Sequence, residues 1–222
     1  FDHVLIEGSG LASPGPIVQT LEVDPALEGR LERARTVTLV HGGRFAEQVE
    51  AYPEAAEQVA HADLVLVNHT DHAEEADLTA AEAQARALNP LARIRRSVRS
   101  EVSVEELLEV APLEHAAGGG HEHAHASGVH AQVLESDMPL DLFRLKMWLQ
   151  FLANRWGTEI VRIKGVLACE GHADEVVVQA VYEWLELGPG TAPAPELSQL
   201  VLIGKGFDVD EVERGWRACL PT

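Results

Sequence analysis

The sequence predicts an α/β domain built on a parallel sheet, followed by a smaller α+β domain, and three observations predict it. Short, near-continuous apolar runs at residues 3–6, 36–41 and 63–68 alternate with stretches rich in Ala and Glu. That is the pattern of strands buried on both faces of a parallel sheet and joined by helices. From Pro112 to about Ser136 periodicity disappears and Gly, Ala and His dominate, which marks a linker or long loop and a domain boundary. Beyond it, strand-like runs near residues 158–169, 175–181 and 198–203 stand between two helical stretches. The expected division is therefore residues 1–111, a His-rich linker or loop at 112–136, and residues 137–222.

Taken in order, the apolar run of residues 3–6 reads as the first strand and residues 36–41 as the second. A helical stretch over 44–61 is broken near Pro53, because proline removes a donor and clashes with the preceding turn. Residues 63–68 give the third strand, 73–88 a helix and 92–95 a further strand. A short helix over 103–110 opens with Ser103 and Glu106 at capping-box spacing. In the second domain a helix over 140–153 places Leu142, Leu145, Leu149 and Leu152 on related faces. The stretch from Gly188 to Pro195, with Pro189, Pro193 and Pro195, reads as a surface loop, and a last helix covers 209–220. Phe1 stands one residue before what reads as a mid-domain strand, so further chain is expected before it.

The charge balance narrows the partners. With 17 Lys+Arg against 36 Asp+Glu, the formal net charge is −19, and such a surface repels phosphate backbones and anionic lipid. Nucleic acid and membranes are not expected partners, and no apolar run approaches the ~20 residues of a membrane helix. Cys169 and Cys219 lie far apart, which argues against a disulfide framework and for a reducing, cytoplasmic setting.

Three constellations carry chemistry. Glu7 and Gly10 follow the run Val4-Leu5-Ile6, where open parallel sheets place their ligands. A carboxylate there can act on a Mg²⁺ shell or an attacking water, and a glycine lets a backbone N–H approach a terminal phosphate. Asn68-His69-Thr70-Asp71 closes the strand at 63–68. It resembles the Asn-Lys-x-Asp guanine reader with His69 in the lysine position, and one carboxylate, Asp71, can accept from both guanine N1–H and N2–H. His115, His121, His123, His125 and His130 place five of the 11 histidines within 16 residues. Neutral imidazoles suit Zn²⁺, Ni²⁺, Co²⁺ and Cu²⁺.

At this level of detail the chain resembles the C-terminal two-thirds of a CobW-type GTPase, a relative of the UreG and HypB metallochaperones. The resemblance rests on Glu7-Gly8-Ser9-Gly10-Leu11-Ala12-Ser13-Pro14-Gly15-Pro16 with Gln19-Thr20, on Gln58-Val59-Ala60 with Ala62-Asp63, and on Asn89-Pro90. In the second domain Arg162-Ile163-Lys164-Gly165, Leu200–Lys205 and Cys219-Leu220 extend it. The family's phosphate-binding loop and its Cys-x-Cys-Cys motif have no counterpart in these residues, His69 replaces lysine, and His41 falls where the family usually has Asp. The resemblance implies an incomplete P-loop GTPase-type sheet joined to a CobW C-terminal α+β domain. It also implies GTP hydrolysis, with Mg²⁺, coupled to delivery of a transition metal, Zn²⁺ first with Co²⁺ or Ni²⁺ behind, to a client metalloenzyme. In that scheme Glu7 and Gly10 sense the terminal phosphate, Asn68, His69 and Asp71 hold guanine, and the histidines capture metal. These 222 residues alone are expected to be inactive. Two other readings stay open: a non-catalytic metal buffer and a client-docking module.

Overall fold

The computed structural model describes residues 2–27, 29–31, 34–108 and 128–221. Three strands form the first sheet: β1 (Val37–His41), β2 (Leu64–Asn68) and β3 (Arg93–Arg96). All pair in parallel in the order β1-β2-β3. All five residues of β2 are buried, as the run Leu-Val-Leu-Val requires of a central parallel strand. Helix α1 (Gly15–Val23) precedes this sheet. Helices α2 (Phe45–Ala51), α3 (Pro53–His61) and α4 (Glu75–Leu88) supply its crossovers, and α5 (Val104–Leu108) follows it. The break between α2 and α3 falls at Tyr52, with Pro53 opening the next helix, as the sequence predicts. Ser103 Oγ accepts from Glu106 N at 3.1 Å, so the expected cap forms.

The second sheet contains β4 (Val129–Ser136), β5 (Ile160–Leu167), β6 (Asp174–Val181), β7 (Trp184–Pro193) and β8 (Ser198–Lys205). It is antiparallel in the order β4-β8-β5-β6-β7. Helices α6 (Leu142–Trp156) and α7 (Val209–Ala218) begin at Asp141 and Asp208, whose carboxylates accept from first-turn backbone amides, a capping contact. Leu145, Leu149 and Leu152 of α6 and Val212 and Trp216 of α7 pack with Ile163, Val178, Leu200 and Leu202. The opposite sheet face puts Val161, Val201 and Ile203 against Ala56, Val59 and Ala60 of α3. Helices of the first domain thus lie between the two sheets, and both faces of the interior strand β8 are covered.

Four expectations change. Residues 3–6 form no strand: Val4, Leu5 and Ile6 are 63%, 89% and 54% exposed. An apolar run becomes a sheet strand only by pairing, and no described strand lies beside this one. Helix α1 appears where no helix was expected, with a proline in its first turn, a favoured position. Strand β4 begins inside the segment read as linker, because Val129, Leu134 and Ser136 are buried by pairing with β8. Strand β7 runs through the stretch read as a proline-bearing loop. It is an edge strand, where a proline disturbs no ladder on its outer side.

Candidate functional site

The register of the parallel sheet sets His41 beside Asn68 at the carboxyl ends of β1 and β2. Asn68 is buried, and both ends of its amide bond the loop after β3. Its Nδ2 donates to Ser100 Oγ at 2.9 Å, while Oδ1 accepts from Ser100 N at 2.9 Å and from Ser97 Oγ at 3.3 Å. Ser97 N is held in turn by Val67 O at 2.8 Å. Arg99 and Ser100 take positive φ values of 52° and 59°, a conformation that persists only where surrounding bonds fix it. Asn68 therefore shapes this loop.

His69 follows with φ 61°, and this left-handed turn swings its ring over that of His41. The two rings stack with centroids 4.7 Å apart and 25° between planes. His41 Nδ1 accepts from Gly43 N at 3.3 Å. Burial, the adjacent His69 and then Arg44 lower the pKa of His41, so a neutral, flat stack is favoured. Asp71 lies in the 3₁₀ turn from Thr70 to His72. Its partly exposed carboxylate pairs with His72 at 3.3 Å. A planar stack next to an accessible acceptor-only carboxylate is the donor-acceptor set that a base with adjacent N–H donors requires. Sequence reasoning missed His41, Ser97 and Ser100 as parts of this site. The two serines in Arg-Ser-Val-Arg-Ser directly after β3 were the available signal.

Glu7 and Gly10 lie in the irregular exposed segment before α1. Gly10 O accepts from Gln58 Nε2 at 3.1 Å, and among the described residues no hydrogen bond, ion pair or ring contact joins Glu7 or Gly10 to Asn68, His69 or Asp71. Of the five metal-candidate histidines, His115, His121, His123 and His125 lie outside the described residues. His130 sits in β4 opposite Gly204, with its ring 4.3 Å from that of Phe207 and Nε2 buried without a partner. Among the described residues no three His, Cys, Asp or Glu side chains form a metal-holding group. Cys169 and Cys219 are buried, and burial pushes both thiols up to about 11. Both are core residues.

The two domains meet at Asp63. Arg162 and Lys164 of β5 both reach its Oδ1, Arg162 also donates to His61 O, and Thr36 N reaches Oδ2 at 2.9 Å. Burial would raise the Asp63 pKa, but Arg162 and Lys164 outweigh it and hold it at about 2. The glycine of Arg162-x-Lys164-Gly165 has a separate cause, since a Cβ there would lie 2.8 Å from Gln199 O of β8.

Residues 1–96 match the family model described as CobW/HypB/UreG, nucleotide-binding domain, and residues 129–220 match Cobalamin synthesis protein cobW C-terminal domain. The chain belongs to the CobW-type GTPase and metallochaperone family. It is 26% identical over 193 residues to the zinc chaperone YjiA of Escherichia coli, covering 82% of this chain and 58% of that one. To the zinc-regulated GTPase metalloprotein activator 1 of Schizosaccharomyces pombe it is 27% identical over 112 residues, covering 50% and 27%. Crystal structures of the Zn(II)-bound YjiA GTPase from Escherichia coli and of its triple mutant superpose with TM-scores of 0.81 and 0.82. Both are at 22% identity and cover 96% of this chain and 69% of theirs, which shows that the CobW fold is shared. This CobW chain thus spans a little over half the length of its E. coli relative.

Proposed function

We propose that these residues are the base-reading and cargo-coupling portion of a GTP-hydrolysing metallochaperone whose substrate metal is Zn²⁺, with Co²⁺ or Ni²⁺ as alternatives, delivered to a client metalloenzyme. The observation that carries this reading is the His41–His69 stack at the carboxyl ends of the parallel strands β1 and β2, with Asp71 in the turn directly after His69. Asp71 accepts from guanine N1–H and N2–H, and the imidazoles cover the base where a lysine stem would otherwise lie. Glu7 and Gly10 meet the terminal phosphate and its Mg²⁺, an ion that neutralises developing charge on the phosphates. The family assignment and the zinc-handling relatives support the cargo. These 222 residues on their own are expected neither to bind nor to hydrolyse GTP appreciably, because the phosphate cradle and its lysine are not among them.

The test is nucleotide competition in a polypeptide that joins these residues to a CobW phosphate-loop segment. Asp71→Asn replaces an acceptor by a donor and creates a polar clash of about 1–3 kcal/mol, so GTP should weaken by roughly tenfold or more. XTP, which carries an acceptor in place of the 2-amino group, should lose less or gain. Equal GTP affinity of variant and parent would remove Asp71 as the guanine reader.

A further inference from the structure

The segment that carries Glu7 and Gly10 is held from two sides. Ser13 Oγ donates to Glu57 Oε1 of α3 at 2.5 Å, and Tyr182 Oη donates to that same oxygen at 3.1 Å. Next along α3, Gln58 Nε2 donates to Gly10 O at 3.1 Å and to Ala12 O at 2.9 Å. Gly15, the first residue of α1, packs so closely beneath Tyr182 that a Cβ there would lie 2.7 Å from Tyr182 Oη and 2.7 Å from His61 Nε2. Three residues of one short segment therefore touch α3, and the tyrosine that completes the clamp belongs to the second domain.

Tyr182 itself is held in an unfavourable shape. It lies between β6 and β7 with φ 53°, a left-handed conformation that a bulky residue adopts only under constraint. Glycine would suit that turn better. The side chain supplies the constraint: its ring lies 5.5 Å from that of His61 and packs into the core between the two sheets. His61 is almost fully buried with neither nitrogen partnered, so its ring serves here as a packing surface for Gly15 and Tyr182.

We propose that Glu57 and Tyr182 are positioning residues for the Glu7–Pro16 segment, with the second domain setting through one shared carboxylate oxygen how that segment is seated. The importance of this for turnover rests on the GTPase reading above, but the tie itself is a property of the chain without nucleotide. Because Oε1 receives donors from both sides, displacing Ser13 changes the environment of Tyr182, and a shift of the β6–β7 turn loosens Ser13. A shift of the β6–β7 turn is thereby transmitted to the segment that carries Glu7 and Gly10 without any change in the base site.

Hydrogen exchange read by mass spectrometry on the 222-residue chain, without nucleotide, tests this. In Tyr182→Phe, which removes only the hydroxyl, amides of residues 9–23 should exchange about 5-fold faster, while those of β2 and β8 stay as in the parent. Glu57→Gln should raise exchange in the same residues. Unchanged exchange at 9–23 in both variants would overturn the proposal, and so would an equal rise across β2 and β8, which marks general destabilisation. In the polypeptide with a phosphate loop, Tyr182→Phe should lower kcat for GTP and leave KM in place. A parent that shows no turnover removes the GTPase reading, and the exchange result still decides the clamp.

Discussion

Asn68 illustrates how a residue can sit in the right motif and act differently from its first reading. The strand-end match to Asn-x-x-Asp located it, yet its amide bonds Ser97 and Ser100 and so shapes the loop after β3. Replacing it with Ala leaves the buried Ser97 hydroxyl without this acceptor, a loss of about 1–3 kcal/mol, and frees the part-buried Ser100 N–H as well. Asn68→Ala should lower the urea midpoint of the chain measurably at unchanged m-value. An unchanged midpoint would mean that water replaces the lost bonds and that Asn68 does not shape the loop. His41, Ser97 and Ser100 were not legible in the same way. Their proximity to Asn68 is made by the β1–β2 register and by the turn after β3, neither of which leaves a local pattern in the chain. Asn89 is a similar case: its Nδ2 donates to Val59 O, Ala60 O and Ala62 O. Thus the Asn89-Pro90 match reflects closure of the α3 end.

At the scale of elements, β2, α4 and β8 were readable because each is buried enough for its apolar period to survive in the sequence, and β1 by its apolar run although Leu39 is exposed. Residues 3–6, β4 and β7 were misread because pairing, rather than composition, decides whether a segment is a strand. An apolar run without a neighbour stays exposed, while a proline-bearing run at a sheet edge pairs. The position of β4 also reshapes the test of the histidine cluster. His130 belongs to the sheet, so removing it would disturb the fold, and the informative deletion covers residues 115–127 and leaves β4 whole. With His121-x-His123-x-His125 as the proposed ligands, the parent should bind at least one Zn²⁺. Its affinity should fall as pH drops through about 6.5, since each imidazole must be neutral to coordinate. Calorimetric titration of both proteins decides this, and identical stoichiometry and affinity after the deletion would remove the segment as the cargo site.

For the whole molecule, the joint between domains should govern acid stability, and its two titrating groups act in separate windows. His61 is buried beside Arg162, and burial first, then that guanidinium, lower its pKa to about 4, against the opposing effect of Glu57 and Asp63. The unfolded chain takes up this proton near pH 6.5 and the folded chain only near 4. The contribution of neutral His61 is therefore complete above 6.5 and is lost as pH falls from 6.5 to 4, up to about 3 kcal/mol. Asp63, held at about 2 by Arg162 and Lys164, contributes fully above its ordinary value near 4. That contribution is lost between 4 and 2 and amounts to about 2 kcal/mol. Urea unfolding followed across pH 7 to 2 should thus show stability falling in two stages. His61→Phe, which keeps a flat ring between Gly15 and Tyr182, should flatten the first stage and leave the second. Asp63→Asn should remove the second and lower stability above pH 4, because buried Arg162 and part-buried Lys164 lose the carboxylate they share, a loss of about 3–5 kcal/mol. If His61→Phe retained the full decline between pH 6.5 and 4, the titrating group would lie elsewhere, and the packing of α3 against Tyr182 would owe nothing to a neutral imidazole.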